Sequence, residues 1–253
     1  MKIIIFSFTA SLVLSCCGVH KKHKATPAIP AVIPPITQPL SAGNCGLDYS
    51  DFHTEKLETN KIVIDDHGMD KQYKIMNLNE MNNLPESYLK LIGDAHIPVK
   101  LINGGVVGFD ELSYLKGKPY GATNSKYTWD DVAGLTAPQG IFIGTLNSGG
   151  NSISIHESGH AIDFLFDLTS KSTNLEELFQ SYSKRRDSND PISDYRFSNS
   201  SEFFATGFDD YYCSSKTRRR LKTWYPMLHE YFESKLDDEI SKLSLQIAFD
   251  SQK

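Results

Sequence analysis

His156, Glu157 and His160 stand as HExxH inside the stretch Ile153 to Phe166, which reads as a helix ended by Asp167 and the polar residues behind it. Residues four apart lie on one helix face, so both imidazoles can point at a single metal ion. Glu157 is one step round, near enough to act on a water at that ion and poorly placed to be a ligand. Zinc suits the pattern. It lowers the pKa of a bound water towards ~7, the glutamate takes the proton, and the hydroxide attacks a polarised carbonyl. The blander reading is a surface helix with two solvated histidines. Because zinc takes a third protein ligand, the metal reading requires a second element that lays another donor against this helix.

The residues after the motif narrow that donor. The metzincin pattern HExxHxxGxxH needs glycine and histidine at the positions held here by Asp163 and Phe166, so that class is rejected. A gluzincin draws a glutamate from a later helix, and Glu176, Glu177 and Glu202 are the candidates. Glu176 and Glu177 fall near a helix start, where acids suit the dipole in any case. Glu202 opens an unusually apolar segment, SEFFATGF, and a carboxylate among core residues needs a partner. Equally, Asn199 and Glu202 have the spacing of a capping box. From the residues alone, all three stay open.

The surrounding pattern is mixed. KIVI (61–64), IPVKLI (97–102) and GIFIGTL (140–146) read as short strands. Helices are expected at 84–92 around Pro85, at 175–182 behind an Asn174 cap, at 201–208 and at 226–249. Strands sit mostly before the central helix, an α+β order rather than alternating βαβ units. No internal repeat or second proline-rich break interrupts residues 44–253, which read as one domain.

Together these segments resemble the anthrax lethal factor-like metallopeptidases, the group that includes the bacterial Pro-Pro endopeptidases. The matching text is HESGHAID at 156–163, Tyr195 seven residues before Glu202, SEFFATGF at 201–208 and RRRLKTWYPMLHEYF at 218–232. The resemblance implies a single zincin-like metallopeptidase domain, with a small sheet whose edge strand precedes the HExxH helix and a mostly helical C-terminal half. It implies Zn2+ held by His156, His160 and Glu202, with Glu157 as base and Tyr195 stabilising the transition state. The implied activity is that of a monomeric zinc endopeptidase acting on a protein or peptide. GIFIGTL takes the edge-strand place, where an extended peptide would add by β-augmentation.

Two departures set up a rival. Family members commonly carry a second acid one turn after the third ligand, where this chain has Thr206; losing it would weaken the metal site from behind. Gly207 replaces an alanine-like residue at about 1 kcal/mol of helix propensity. The rival is a non-catalytic surface binding or adhesion lipoprotein on a decayed peptidase scaffold. A weaker one is a zinc hydrolase acting on a non-peptide amide, such as a cell-wall bond.

Upstream of the domain, Met1-Lys2 and an apolar run ending at Cys16-Cys17 read as an export signal, shorter than the ~20 residues that span a bilayer. Its end resembles a bacterial lipobox. Residues 1–17 are therefore expected to be a lipoprotein-type signal, with Cys16, behind the small Ser15, lipidated in preference to Cys17. Residues 18–43 hold Pro27, Pro30, Pro34, Pro35 and Pro39 and read as a linker. In polyproline II form, at ~3.1 Å per residue, it could hold a domain up to roughly 70 Å from a membrane. The expected location is the cell envelope, anchored to membrane by lipid, with secretion as the alternative. Pro34-Pro35 also invites a self-processing hypothesis. In an oxidising compartment Cys45 and Cys213 can pair. A net charge of -5 lacks the basic footprint of a nucleic-acid binder.

The other residues singled out stay modest. Asp163, seven after His156, is placed to hold His160 from behind. His53, His67, His96 and His229 have no metal spacing and read as surface or packing histidines. Arg218 to Arg220 read as a solvated helix face, and Tyr225, Tyr231 and Phe232 as core.

Overall fold

The computed structural model describes residues 45–47, 49, 54–120, 127–146, 150–184, 190 and 192–250. The expected signal, the proline-rich linker, Cys16, Cys17 and His53 lie outside the described residues. Three short runs, β1 (Ile64–Asp66), β2 (Val99–Leu101) and β4 (Gly140–Ile143), form a parallel ladder in which Ile64 faces Val99 and Val99 faces Ile141. The strand β3 (Gly134–Ala137) pairs antiparallel with β4, giving the sheet order β1-β2-β4-β3. Gly140 opens β4 directly after the turn from β3, at φ 147°, and a Cβ there would lie 2.7 Å from the Pro98 carbonyl oxygen.

Side-chain alternation along β4 divides the core. Ile141 and Ile143 join Val99, Leu101 and the helices on one face of the sheet. Phe142 turns to the other face, among Val106, Phe109, Leu112, Leu115 and Trp129. This corrects the expectation for GIFIGTL. An unbroken apolar run marks a strand covered on both faces, and β4 is interior. The edge strand before the HExxH helix is β3, whose half-buried Gly-Leu-Thr-Ala has no alternation to betray it.

Three helices come early: α1 (Glu55–Thr59), α2 (Lys71–Met81) and α3 (Glu86–Asp94), the last starting directly after Pro85. Sequence periodicity misses α2, because its buried residues include Asn77, Asn79 and Glu80 and leave no apolar stripe. The central helix α4 (Ile153–Phe166) starts at Ser152, whose side chain accepts from Ile155 N, and ends where Asp167 turns left-handed at φ 54°. Short α5 (Leu168–Lys171) leads to α6 (Thr173–Ser183), capped by Ser172 rather than the expected Asn174. Then come α7 (Ser193–Arg196), α8 (Ser200–Cys213), α9 (Ser215–Trp224) and α10 (Pro226–Glu230). A π-turn at Tyr231–Lys235 carries α10 into α11 (Leu236–Asp250), so the expected closing helix is continuous but irregular.

A disulfide joins Cys45 to Cys213 and ties the first described residue to the end of α8. Two glycines set how closely the helices approach. A Cβ on Gly159 of α4 would lie 3.2 Å from Ala205 Cα of α8. On Gly207 it would meet Leu228 and Phe232 at 2.8 Å, so the glycine that costs helix propensity is what lets the closing helix sit down. Among the described residues, no helix is long and apolar enough to cross a membrane.

Candidate metal centre

The close packing of α8 on α4 brings Glu202 to the two histidines. His156 Nε2 and His160 Nε2 are 3.1 Å apart, and Glu202 Oε2 lies 3.2 Å from the first and 3.5 Å from the second. Tetrahedral zinc with bonds of about 2.0–2.1 Å spaces its ligand atoms about 3.3 Å apart, so the triangle fits. Glu202 is 6% exposed, yet its Oε2 accepts no well-formed hydrogen bond, a costly state for a buried carboxylate oxygen. A dication is what such a donor set satisfies. Among the described residues it is the one His/Cys/Asp/Glu group whose donor atoms converge in this way. The capping spacing is also used, since Asn199 Oδ1 accepts from Glu202 N, but the Glu202 carboxylate faces the imidazoles. Glu176 accepts from Gln180, and Glu177 lines a shallow groove with Met227 and Tyr231, so neither joins the cluster.

His160 is held from behind. Its Nδ1 lies 3.1 Å from Ser201 Oγ, which in turn donates to Asp163 Oδ2 at 2.8 Å. Asp163 also accepts from Thr169 N and Thr169 Oγ1. Asp163 thus does back His160, but through Ser201, which the sequence does not single out. Burial pulls the pKa of His160 down; the charge of Glu202 first, then of Glu157 and Asp163, more than offsets this and raises it to about 9. Glu202 shows the reverse balance. Burial pushes its carboxyl up, but the facing imidazoles hold it well below the usual range.

Glu157 packs against β3. Thr136 Oγ1 lies 2.9 Å from its Oε2 and 2.8 Å from its backbone oxygen, and a Cβ on Gly134 would fall 2.6 Å from its Oε1. The glycine makes room for the candidate base, and the threonine bonds to it. Burial, partly offset by the two histidines, raises its carboxyl pKa. Tyr195, on α7, puts its hydroxyl 3.5 Å from His156 Nε2. Burial and the nearby Glu202 charge push its phenol well above the ordinary value, so it stays a hydrogen-bond donor.

The next residue explains how Tyr195 is held. Arg196 is fully buried and donates to Asp190 Oδ2 at 2.8 Å, Thr206 Oγ1 at 3.1 Å and Asp210 Oδ2 at 2.6 Å. Asp210 also takes Arg220 and Asn151, the latter in the loop that enters α4. This network fastens α7 to α8 and to the start of the motif helix. Thr206 therefore faces Arg196 and the Glu202 backbone oxygen rather than a histidine. Arg220 is half-buried in the network, which corrects the expectation of a wholly solvated arginine face; Arg218 and Arg219 are exposed. A buried cation between two carboxylates gives no signal in sequence, because its partners lie six and fourteen residues away in a segment without periodicity.

Comparison with known proteins bears on this geometry. A family model described as "Anthrax toxin lethal factor, N- and C-terminal domain" matches residues 52–235. The chain is 28% identical over 195 residues to a Pro-Pro endopeptidase of Clostridioides difficile (strain 630), spanning 74% of this chain and 87% of that one. It is 29% identical over 157 residues to a Pro-Pro endopeptidase of Paenibacillus alvei, spanning 60% and 71%. The solved structure of a Paenibacillus alvei Pro-Pro endopeptidase matches with a TM-score of 0.59 at 23% identity, over 74% of this chain and 99% of that one. That last likeness is one of fold: α+β, with a small sheet and a mostly helical remainder.

Proposed function

The chain belongs to the anthrax toxin lethal factor family, and on that premise we propose that it is a zinc-dependent endopeptidase of the gluzincin type that cuts between consecutive prolines. The observation that carries the reading is the convergence of His156 Nε2, His160 Nε2 and the buried Glu202 Oε2, flanked by Glu157 and Tyr195. His156, His160 and Glu202 hold the ion; bound there, zinc polarises a substrate carbonyl and makes a water more acidic. Glu157, fixed by Thr136, takes a proton at its carboxylate and returns it to the leaving nitrogen. Tyr195 donates a hydrogen bond to the oxygen that gains charge. An extended substrate pairs along β3, the edge strand whose Gly134 and Thr136 both touch Glu157. The preference for prolines rests on the names of the two relatives.

The test is digestion of a peptide library containing Pro-Pro pairs and their alanine-substituted counterparts, with zinc and with a chelator. Cleavage confined to Pro-Pro bonds and abolished by the chelator is expected. A zinc-loaded protein that cuts nothing would sink the reading and favour the binding scaffold. The library includes AVIPPITQ (31–38): its survival while other Pro-Pro peptides are cut would remove self-processing.

Export and tethering belong to the same proposal. The mature chain, monomeric and lipidated at Cys16, is expected in the detergent phase with the membrane fraction, and Cys16→Ser should release or mislocalise it. Wild-type protein found freely soluble outside the cell would remove the anchor and leave the peptidase reading untouched.

A further inference from the structure

We propose that Ser201 is a positioning residue that fixes which nitrogen of His160 faces the metal, and that it locks this ligand to the helix carrying Glu202. The inference rests on the metal reading above but concerns a residue outside the ligand set. Asp163 accepts from Thr169 N, Thr169 Oγ1 and Ser201 Oγ, three donors around one carboxylate. Such a carboxylate is an acceptor only. The single Ser201 proton is therefore spent on Asp163, and Ser201 Oγ can only accept from His160 Nδ1, 3.1 Å away. In the neutral ring, the proton then sits on Nδ1 and the lone pair on Nε2, which points at His156 Nε2 and Glu202 Oε2.

The placement of Ser201 adds a second constraint. Ser201 and Glu202 are consecutive on α8, and they meet opposite ends of one imidazole: Ser201 at Nδ1, Glu202 at Nε2. Any slide of α8 along α4 would break both contacts together. The far end of the relay is anchored as well, because Thr169 follows the left-handed turn at Asp167 that closes α4. Ser201 and Asp163 are 8% and 6% exposed, so water competes poorly for either bond.

The test compares Ser201→Ala, Ser201→Thr and Asp163→Asn in the full chain by zinc competition against a chromogenic chelator, with thermal unfolding as a control for folding. Ser201→Ala is expected to lose about 10- to 100-fold in zinc affinity, the usual range for a group that orients a ligand. Ser201→Thr keeps the hydroxyl and should stay within about threefold of wild type. Asp163→Asn tests the direction of the relay. Thr169 N can only donate, so it holds the amide oxygen at the Oδ1 place and turns the NH2 group toward Ser201. Ser201 then accepts, its proton swings to His160 Nδ1, and the ring presents N–H where the lone pair is needed. Asp163→Asn should therefore weaken zinc at least as much as Ser201→Ala, and adding it to Ser201→Ala should cost little more. In NMR spectra of the zinc-loaded protein, a slowly exchanging His160 Nδ1–H should be present in wild type and Ser201→Thr and absent in Ser201→Ala.

A Ser201→Ala protein with wild-type zinc affinity, or a folded Ser201→Thr as weak as Ser201→Ala, would overturn the assignment. So would additive losses in the double variant. Wild-type protein that binds no zinc would overturn the metal reading itself, which separates the two failures.

Discussion

A Cβ placed on Gly159 would lie 3.2 Å from Ala205 Cα and equally close to Phe208 Cβ, so the motif helix meets the helix carrying Glu202 with its bare backbone at their contact. Gly159 precedes His160, and Ala205 follows Glu202 by less than one turn. The distance between the helices and the size of the ligand triangle are thus set by the same missing methyl group.

Gly159→Ala should consequently hurt both stability and metal binding. Alanine would gain about 1 kcal/mol in helix propensity. Against this, the new methyl presses on Ala205 Cα and Phe208 Cβ, neither of which can rotate away, and overpacking of this kind costs about 1–3 kcal/mol. The expected outcome is net destabilisation by about 1 kcal/mol and weaker zinc binding, as Glu202 is pushed off. Urea unfolding with parallel zinc titration checks it. A variant as stable as wild type with unchanged zinc affinity would show that the helices have slack.

Glu80 carries a pH prediction. It is 1% exposed on α2 and accepts from the Tyr49 hydroxyl at 2.9 Å; burial above all raises its pKa to about 7. The folded state therefore holds this proton more tightly than the unfolded chain does. Between the unfolded value near 4.5 and the folded value near 7, the unfolded state ionises first, so stability falls as pH rises through that window and levels off above it. Over the whole window the loss is at most about 3 kcal/mol. Glu80→Gln, which mimics the neutral acid, should flatten the curve and be relatively more stable at pH 8 than at pH 4.5. Asp209 and Glu157, also raised by burial, and His160, raised to about 9, leave a residual slope common to both proteins. Chemical denaturation across that range decides it: parallel curves for both proteins would sink the idea.

How much of this was legible in sequence depended on the range of the contact. His156, Glu157 and His160 could be read because one helix period places them. Strand β4 was visible as an apolar run, but its interior place was not, since sheet order is set by pairings with β2 and β3 that leave no mark on its own residues. Helix α2 was invisible because it buries amides and an acid in place of an apolar stripe. From the residues alone Glu202 is one of three candidates; only the family resemblance singles it out and brings in Tyr195. Thr136, Ser201 and Arg196 act across 21, 38 and 14 residues, through hydrogen bonds whose spacing follows no helix or strand period. The pairing of Cys45 with Cys213 could be anticipated from compartment chemistry, but their Cα separation of 4.9 Å could not.

The remaining prediction separates ligand, base and oxyanion donor by what each substitution leaves intact. Glu157→Gln keeps its size and its contact with Thr136, and its carboxylate is outside the donor triangle, so zinc and fold should persist while turnover is lost. Tyr195→Phe removes one hydroxyl 3.5 Å from His156 Nε2. It too should keep zinc, but lose about 10²–10³ in rate, the usual cost of one oxyanion donor. Glu202→Gln differs from both. A neutral amide is a poor zinc ligand, so most of the metal should go, although the α8 cap survives because Asn199 bonds the backbone nitrogen of residue 202 and not its side chain. If capping were all that Glu202 did, glutamine would serve equally well. Metal content by elemental analysis, read beside peptide cleavage, distinguishes the three. Full zinc occupancy and near-normal cleavage in Glu202→Gln would overturn the third-ligand assignment, and with Glu176 and Glu177 facing elsewhere, no other described carboxylate stands ready to replace it.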